Sequence, residues 1–283
     1  MSNTDNPIIR ISAGSKVYGG VHAIEGVNFD IRAGEVHALV GENGAGKSTL
    51  SKSIAGTIKL THGTIEVDGT PITFESPADA LRQGIAMVYQ ETSLVPTMTV
   101  AQNIELGNEK FYNRFRPLNI KAQQHLQSRN FHVDPAAMVS SLGAAQRQMV
   151  EIARALRFDA RVIIFDEPTA SLTPEEILHF FHLIEDLRNH GVGIVYISHA
   201  LEESLQIADR ITVLRDGKVI ECKPAADFER DGLVRAMVGR DVSQSHYARG
   251  EHDVAAPATV RRKVLSVENV TMGSVVKNMS FSV

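Results

Sequence analysis

Hydrophobic and polar positions alternate in short stretches at the start of the chain and run together in longer ones further on. Ile8-Ile9-Arg10-Ile11 and Val27-Asn28-Phe29-Asp30-Ile31 read as short strands, and Arg32-Ala33-Gly34-Glu35 forms a turn into Val36-His37-Ala38-Leu39-Val40. Two stretches, Gly63 to Ile72 and Ile211 to Ile220, each set an Asp-Gly turn (Asp68-Gly69, Asp216-Gly217) between β-prone runs, the pattern of a hairpin. Both hairpins are assigned to an antiparallel layer. Ile85-Ala86-Met87-Val88-Tyr89, Val162-Ile163-Ile164-Phe165 and Ile194-Val195-Tyr196-Ile197 are almost continuously apolar, as strands buried on both faces of a parallel sheet are. Between the first two of these, Met149, Ile152, Ala153 and Leu156 recur at helical spacing on one face. The chain therefore reads as α/β, a mostly parallel sheet with an antiparallel β layer and a helical subdomain inserted at about residues 91–158.

The pattern breaks after Gly239. Residues 241–262 are polar and small, without periodicity, and read as a linker after a domain spanning 1–240. Residues 263–283 then repeat the beginning: Val264-Leu265-Ser266-Val267 echoes Ile8 to Ile11, and the eight residues Val276 to Val283 echo Ile24 to Ile31. A repeat that stops where the first copy enters its turn suggests the start of a second domain of the same kind. Chance likeness between two amphipathic strand pairs is the alternative.

Composition narrows the setting. The 283 residues, 43% hydrophobic and 22% charged, suffice for the core of one large domain plus a fragment. A net charge of −4 argues against a broad nucleic-acid surface. Cys222 is the only cysteine, so no intrachain disulfide forms and a reducing compartment is expected. The N-terminus lacks a basic, then apolar, leader, and no stretch nears the roughly 18 apolar residues of a spanning helix. A soluble chain is expected, any membrane attachment running through a partner.

The chemistry centres on Gly41-Glu42-Asn43-Gly44-Ala45-Gly46-Lys47-Ser48, a match to the P-loop pattern G-x-x-x-x-G-K-[ST] that continues through Thr49-Leu50 into a helix reaching Ala55. A buried strand delivers the loop, glycines let its amides curl round phosphate oxygens, and the helix N-terminus contributes its positive dipole end. Lys47 is placed for the β and γ phosphates and Ser48 for Mg²⁺. The core is thus that of a P-loop NTPase, with ATP and Mg²⁺ as the expected ligands. Asp166 and Glu167 end the apolar strand Val162 to Phe165, in the crevice where open α/β sheets bind ligands. Asp166 is suited to hold Mg²⁺ through its water shell, and Glu167 to orient or deprotonate an attacking water.

Together these features resemble the nucleotide-binding domains of ABC transporters, over roughly residues 8–240. In that family's order, Gln90 after its apolar strand stands at the Q-loop and His199, after Ile197-Ser198, at the switch histidine. The resemblance implies that Gln90 senses Mg²⁺ and the γ-phosphate, that His199 contacts the γ-phosphate and positions water or Glu167, and that Tyr18 stacks on adenine. Two positions depart from the pattern. Leu142-Gly143-Ala144-Ala145-Gln146 replaces the usual Leu-Ser-Gly-Gly-Gln signature, and Thr173 stands where the D-loop Asp usually lies.

Within the family the chain is similar to the duplicated ATPases of bacterial monosaccharide importers of the ribose, xylose and galactose group, in Gly41 to Lys47, Val88 to Glu91, Ala144 to Ala153 and Glu167 to Thr173. This likeness implies an ATPase that drives import of a monosaccharide or related polyol from the cytoplasmic face of the bacterial inner membrane. Implied partners are a second nucleotide-binding domain, transmembrane permease subunits and, at the level of the complex, a periplasmic or extracellular solute-binding protein. A regulatory module with a degenerate site, or a non-transport ABC ATPase acting on nucleic acid, are the alternatives. Glu167 favours hydrolysis over mere binding, no basic insertion or charged arm points to nucleic acid, and Thr92 to Asn103 is expected to offer an apolar groove to a permease helix.

Overall fold

Residue by residue, the first hairpin is longer than its apolar alternation suggests. β1 (Ile9–Tyr18) and β2 (Val21–Ile31) pair antiparallel across a Gly19-Gly20 turn in which both glycines have positive φ. The computed structural model describes residues 6–89, 93–107, 115–129, 131–158, 160–170, 172–239, 266–272 and 276–282. Gln90 and the residues read as a linker therefore lie outside the described residues. The chain separates into two units, residues 1–240 and 241–283.

In the first unit, β3 (Val36–Val40) is buried along its whole length and runs through the P-loop into α1 (Lys47–Ile54). β4 (His62–Val67) and β5 (Thr70–Ile72) form the first Asp-Gly hairpin, with Asp68 at φ 49° and Gly69 at φ 76°. Then come α2 (Pro77–Arg82), β6 (Ile85–Val88), α3 (Val100–Ile104), α4 (Phe115–Gln127) and α5 (Ala144–Leu156). β7 (Val162–Asp166), α6 (Pro174–Asn189), β8 (Gly193–Ile197) and α7 (Leu201–Ile207) follow. The unit ends with β9 (Arg210–Arg215), β10 (Lys218–Pro224) and α8 (Arg230–Val238).

The strands form an antiparallel sheet ordered β2-β1-β4-β5 and a six-stranded sheet ordered β10-β9-β3-β8-β7-β6. Five neighbours in the second sheet, β9 through β6, run parallel, and β10 closes its edge antiparallel to β9. The Asp216-Gly217 hairpin thus belongs to the parallel sheet, not to the antiparallel layer. Local alternation fixes that β9 and β10 pair with each other; it carries no information on β9's other edge, which docks on β3.

One core joins the antiparallel sheet to the six-stranded sheet around α1, with Ile9, Phe29, Leu50, Ile65, Ile164 and Val195 among its members. A second lies on the opposite face, where Phe165 and Tyr196 pack edge-on against Phe180 and Phe181 of α6. The inserted subdomain has its own core, in which Val100, Ile104, Leu126, Val150 and Ala153 are fully buried. Leu94, Val100 and Ala101 are also spent inside it. These three apolar residues of the Thr92 to Asn103 stretch therefore stabilise the subdomain, which leaves half-buried Val95 and Met98 and exposed Pro96 as the apolar surface the stretch offers.

His37 ties β3 to both sheets. It is 1% exposed, stacks on Phe29 at 4.3 Å, approaches the Asp30 carbonyl through Nδ1 at 2.9 Å and Thr212 Oγ1 through Nε2 at 2.7 Å. A carbonyl can only accept, so Nδ1 donates; in the neutral ring Nε2 then accepts from the threonine hydroxyl. Burial, with the Arg210 charge adding, lowers its pKa to about 3. The unfolded chain binds this proton near the ordinary 6.5 and the folded chain does not, so the stabilisation is full above about pH 6.5 and is lost as pH falls towards 3. At about 1.4 kcal/mol per unit the bound is several kcal/mol. Urea denaturation between pH 7.5 and 5 is expected to show falling stability in wild type and a shallower slope in His37→Gln, with His125, also lowered by burial, contributing to the slope of both. An identical slope in the variant would remove His37 from this role.

The second unit is a hairpin of β11 (Ser266–Met272) and β12 (Val276–Ser282). Its irregularities match those of β1 and β2. Arg10↔Asp30, Ile11↔Phe29, Gly14↔Val27 and Lys16↔Ile24 correspond to Ser266↔Ser282, Val267↔Phe281, Val270↔Met279 and Met272↔Val276, with register shifts at the same places. Ala13 (φ 49°) and Asn269 (φ 52°) share the left-handed conformation, as do Gly26 (φ 59°) and Asn278 (φ 51°). Even the bracing is shared: the Ala13 amide donates to Asn28 Oδ1 at 2.9 Å, and the Asn269 amide to Ser280 Oγ at 2.8 Å.

Candidate nucleotide site

The C-terminal ends of three adjacent parallel strands, β3, β8 and β7, build the site. From β3 the loop Gly41 to Gly46 turns back on itself, with Gly44 at φ 87° and Gly46 at φ 104°. Gly46 is required twice over: a Cβ there would lie 2.5 Å from the Ala23 carbonyl oxygen, and its φ disfavours any L side chain. Gly41 is as tightly held, since a Cβ would stand 2.2 Å from the Leu214 carbonyl oxygen. The Asp216-Gly217 turn supports the loop from behind, its Gly217 amide donating to the Ala45 carbonyl at 3.1 Å while its carbonyl accepts from the Glu25 amide at 2.8 Å.

Lys47 is 6% exposed and its Nζ donates to the Gly41 and Glu42 carbonyls at 2.8 and 3.1 Å. Burial holds its pKa below the usual lysine value, although Glu167 and Asp166 oppose the shift. A desolvated ammonium with neutral acceptors, aligned with the N-terminus of α1, is the chemistry that receives an anion. Ser48 is exposed and Thr49 half-buried beside it.

Asp166 is the last residue of β7, paired with Ile197. It is 6% exposed, and burial, with the adjacent Glu167 charge adding, raises its pKa despite Lys52 and Lys47 nearby. A carboxylate held at that disadvantage is one a cation would relieve. Glu167 adopts φ 50°, a left-handed conformation that costs a non-glycine residue on the order of 1–2 kcal/mol. Its amide donates to the Ile197 carbonyl at 2.9 Å, and its Oε1 lies 3.4 Å from His199 Nδ1. Asp166 is thereby turned inward, while Glu167 and the exposed His199 face the cleft.

That cleft, of about 920 Å³, is lined by Gly41, Glu42, Asn43, Gly44, Gly46, Lys47, Ser48, Thr49, Glu167 and His199, together with Ala23 and Met237. Ala45, from the same loop, is buried beneath it. Of the residues singled out from sequence, Asp166 is not among the lining residues, and neither is Tyr18. The tyrosine stands 48% exposed at the tip of the β1-β2 hairpin, with Lys16 Nζ 5.1 Å from its ring centroid. Ala23 and Met237 are additions; an alanine in a strand and a methionine on an amphipathic helix carry no local signal of a site.

The two departures in the helical region have local roles. Gly143 caps α5 in extended backbone, its amide donating to Gln146 Oε1 at 3.3 Å. Thr173 caps α6: Glu176 Oε2 accepts from the Thr173 amide at 2.8 Å and from Oγ1 at 2.9 Å, and Pro174 follows at the first helical position.

A family model described as "ABC transporter" matches residues 24–170, just over half of the chain. Among curated relatives, the chain is 44% identical over 281 residues to "Ribose import ATP-binding protein RbsA 3" of Rubrobacter xylanophilus, covering 98% of this chain and 55% of that protein. It is 46% identical to "Putative ribose/galactose/methyl galactoside import ATP-binding protein 1" of Burkholderia ambifaria, covering 87% of this chain and 48% of that protein. The chain spans about half the length of the curated relatives it matches. Among solved structures, a nucleotide-free ATP-binding cassette from an ABC transporter superposes with a TM-score of 0.70 at 25% identity, covering 83% of this chain and 96% of that one. A dimeric cassette in a post-hydrolysis state, bound to ADP and Pi, matches in fold with a TM-score of 0.70 at 24% identity over 78% of this chain and 100% of that one.

Proposed function

The chain belongs to the ABC transporter family, and from that premise we propose that it is the first half of a duplicated ATPase that powers import of a monosaccharide or related polyol. The observation that carries the ATPase reading is the convergence of the P-loop, Glu167 and His199 on one cleft, with Asp166 behind it. The names of the curated relatives support sugar import. The pair-for-pair equivalence of the two hairpins supports a second cassette beginning in residues 263–283, because matching bulges and left-handed residues exceed what alternation alone produces. A transmembrane permease is the partner such an ATPase needs: among the described residues, no helix is long and apolar enough to cross a membrane. The proposed location is the cytoplasmic face of the bacterial inner membrane, with a solute-binding protein on the far side and no role for nucleic acid.

In this reading the amides of Gly44 to Ser48 and Lys47 bind the phosphates, and Ser48 and Asp166 hold Mg²⁺, with Gln90 as a further ligand. Mg²⁺, when bound, neutralises phosphate charge. Glu167 orients or takes a proton from water and His199, 3.4 Å away, steadies its carboxylate. Tyr18 is proposed to meet the adenine from its exposed position. Calorimetric titration with ATP and Mg²⁺-dependent phosphate release test the proposal; a chain that binds no ATP would end it.

Gly143 gives a second test. In this family the signature segment serves the nucleotide of the opposite domain, and glycine lacks the hydroxyl that would hydrogen-bond phosphate, worth roughly 1.5–3 kcal/mol. A Cβ at Gly143 would meet nothing within 4 Å, so a serine fits without strain. Gly143→Ser in the complete two-domain protein with its membrane partners is expected to raise turnover or tighten ATP-driven closure, leaving binding at this chain's own P-loop unchanged. An equal or lower rate with unchanged closure would show the hydroxyl to be dispensable.

A further inference from the structure

Outside the cleft, three hydroxyls converge on one carboxylate oxygen. Glu203 Oε2, in the first turn of α7, accepts from Thr169 Oγ1 at 2.8 Å, Tyr196 Oη at 2.5 Å and Ser198 Oγ at 3.4 Å. Thr169, Tyr196 and Ser198 are all buried. Ser198 Oγ also accepts from the Ala200 amide at 2.9 Å, so the bonding runs on past His199. Burial, with Glu203 as hydrogen-bond acceptor and neighbouring charge, holds the Tyr196 phenol well above its ordinary pKa and therefore protonated as a donor.

The three donors sit on the two segments that carry the candidate chemistry. Thr169 lies two residues past Glu167, whose left-handed backbone is sustained only if its flanks are fixed. Ser198 immediately precedes His199. We infer that Glu203 is a positioning residue for hydrolysis, setting Glu167 and His199 in register with each other from beneath the site. Glu203 does not line the cleft and acts through the two segments it joins. The P-loop is held by a different set of contacts, to Ala23, Leu214 and Gly217, so nucleotide binding is outside Glu203's reach.

The inference rests on the ATPase reading, and the experiment separates the two. In the full chain, Glu203→Ala is expected to lower kcat about 10-fold or more, the scale of small misplacements of reacting groups, with KM and ATP affinity within about twofold. Glu203→Gln, which keeps an oxygen acceptor, should recover most of the rate, and Thr169→Val, which removes one donor, should lose part of it even if Glu203→Ala fails to fold. Because the effect passes through Glu167, adding Glu203→Ala to Glu167→Gln should cost little more, whereas a general loss of folded protein would multiply. Unchanged kcat, or a multiplicative loss, overturns the assignment. Amide hydrogen exchange provides a readout without turnover: Glu203→Ala should speed exchange at Glu167 and Ala200, and unchanged rates would overturn the inference. A wild-type chain that binds ATP without hydrolysing it would instead sink the ATPase reading and leave the exchange result to decide on Glu203.

Discussion

Glu167→Gln is expected to keep ATP affinity near that of the wild type and to lower turnover by about 10²-fold or more, the typical contribution of a general base. The amide preserves the size and hydrogen-bonding reach of the side chain, so the cleft and the 3.4 Å approach to His199 should persist. What it loses is basicity and charge. Affinity read by calorimetry and phosphate release read at steady state must therefore separate in this variant. A rate equal to wild type would take Glu167 out of the mechanism, and a joint loss of binding and rate would mean that its left-handed backbone, rather than its carboxylate, had been disturbed.

Lys47→Ala is expected to do the opposite. Each charge-assisted hydrogen bond to phosphate is worth roughly 1.5–3 kcal/mol, so losing the ammonium should weaken ATP binding by about 10- to 100-fold. Without nucleotide the variant should melt close to wild type, because burial already disfavours the charged form of this lysine and its removal relieves that cost while losing some packing. The ATP-induced rise in melting temperature should shrink accordingly, since a ligand stabilises the fold only through its affinity. Thermal shift with and without ATP checks both halves. A variant that melts far below wild type before ATP is added would show Lys47 to be a structural tie for the Gly41 and Glu42 carbonyls.

Much of this site is legible in the chain because its parts are local. A strand, a glycine-bearing loop and a helix follow one another within the fourteen positions from Leu39 to Lys52, and the loop's left-handed glycines are needed by backbone geometry alone. The Asp68-Gly69 and Asp216-Gly217 turns are legible for the same reason, as are the buried strands, whose continuous apolar runs have no solvent-facing side. The match of Val264 to Val283 with the first hairpin also follows from order along the chain.

Contacts between distant segments had to wait for the tertiary structure. The Asp216-Gly217 hairpin joined the parallel sheet because β9 found an edge on β3, 173 residues away at the His37↔Arg210 pair, and alternation does not encode that choice. Polar His37 became a core residue only once Phe29, Asp30 and Thr212 surrounded it. Tyr18, read from resemblance as a nucleotide contact, stands apart from the lining of the cleft. The left-handed turn at Glu167 and the convergence of Thr169, Tyr196 and Ser198 on Glu203 have no signature in any one window of sequence. Sequence determines what short range can: which backbone shapes each residue tolerates and which faces avoid water. Which partner satisfies a buried polar atom depends on chain closure over many residues, and only the assembled fold decides it.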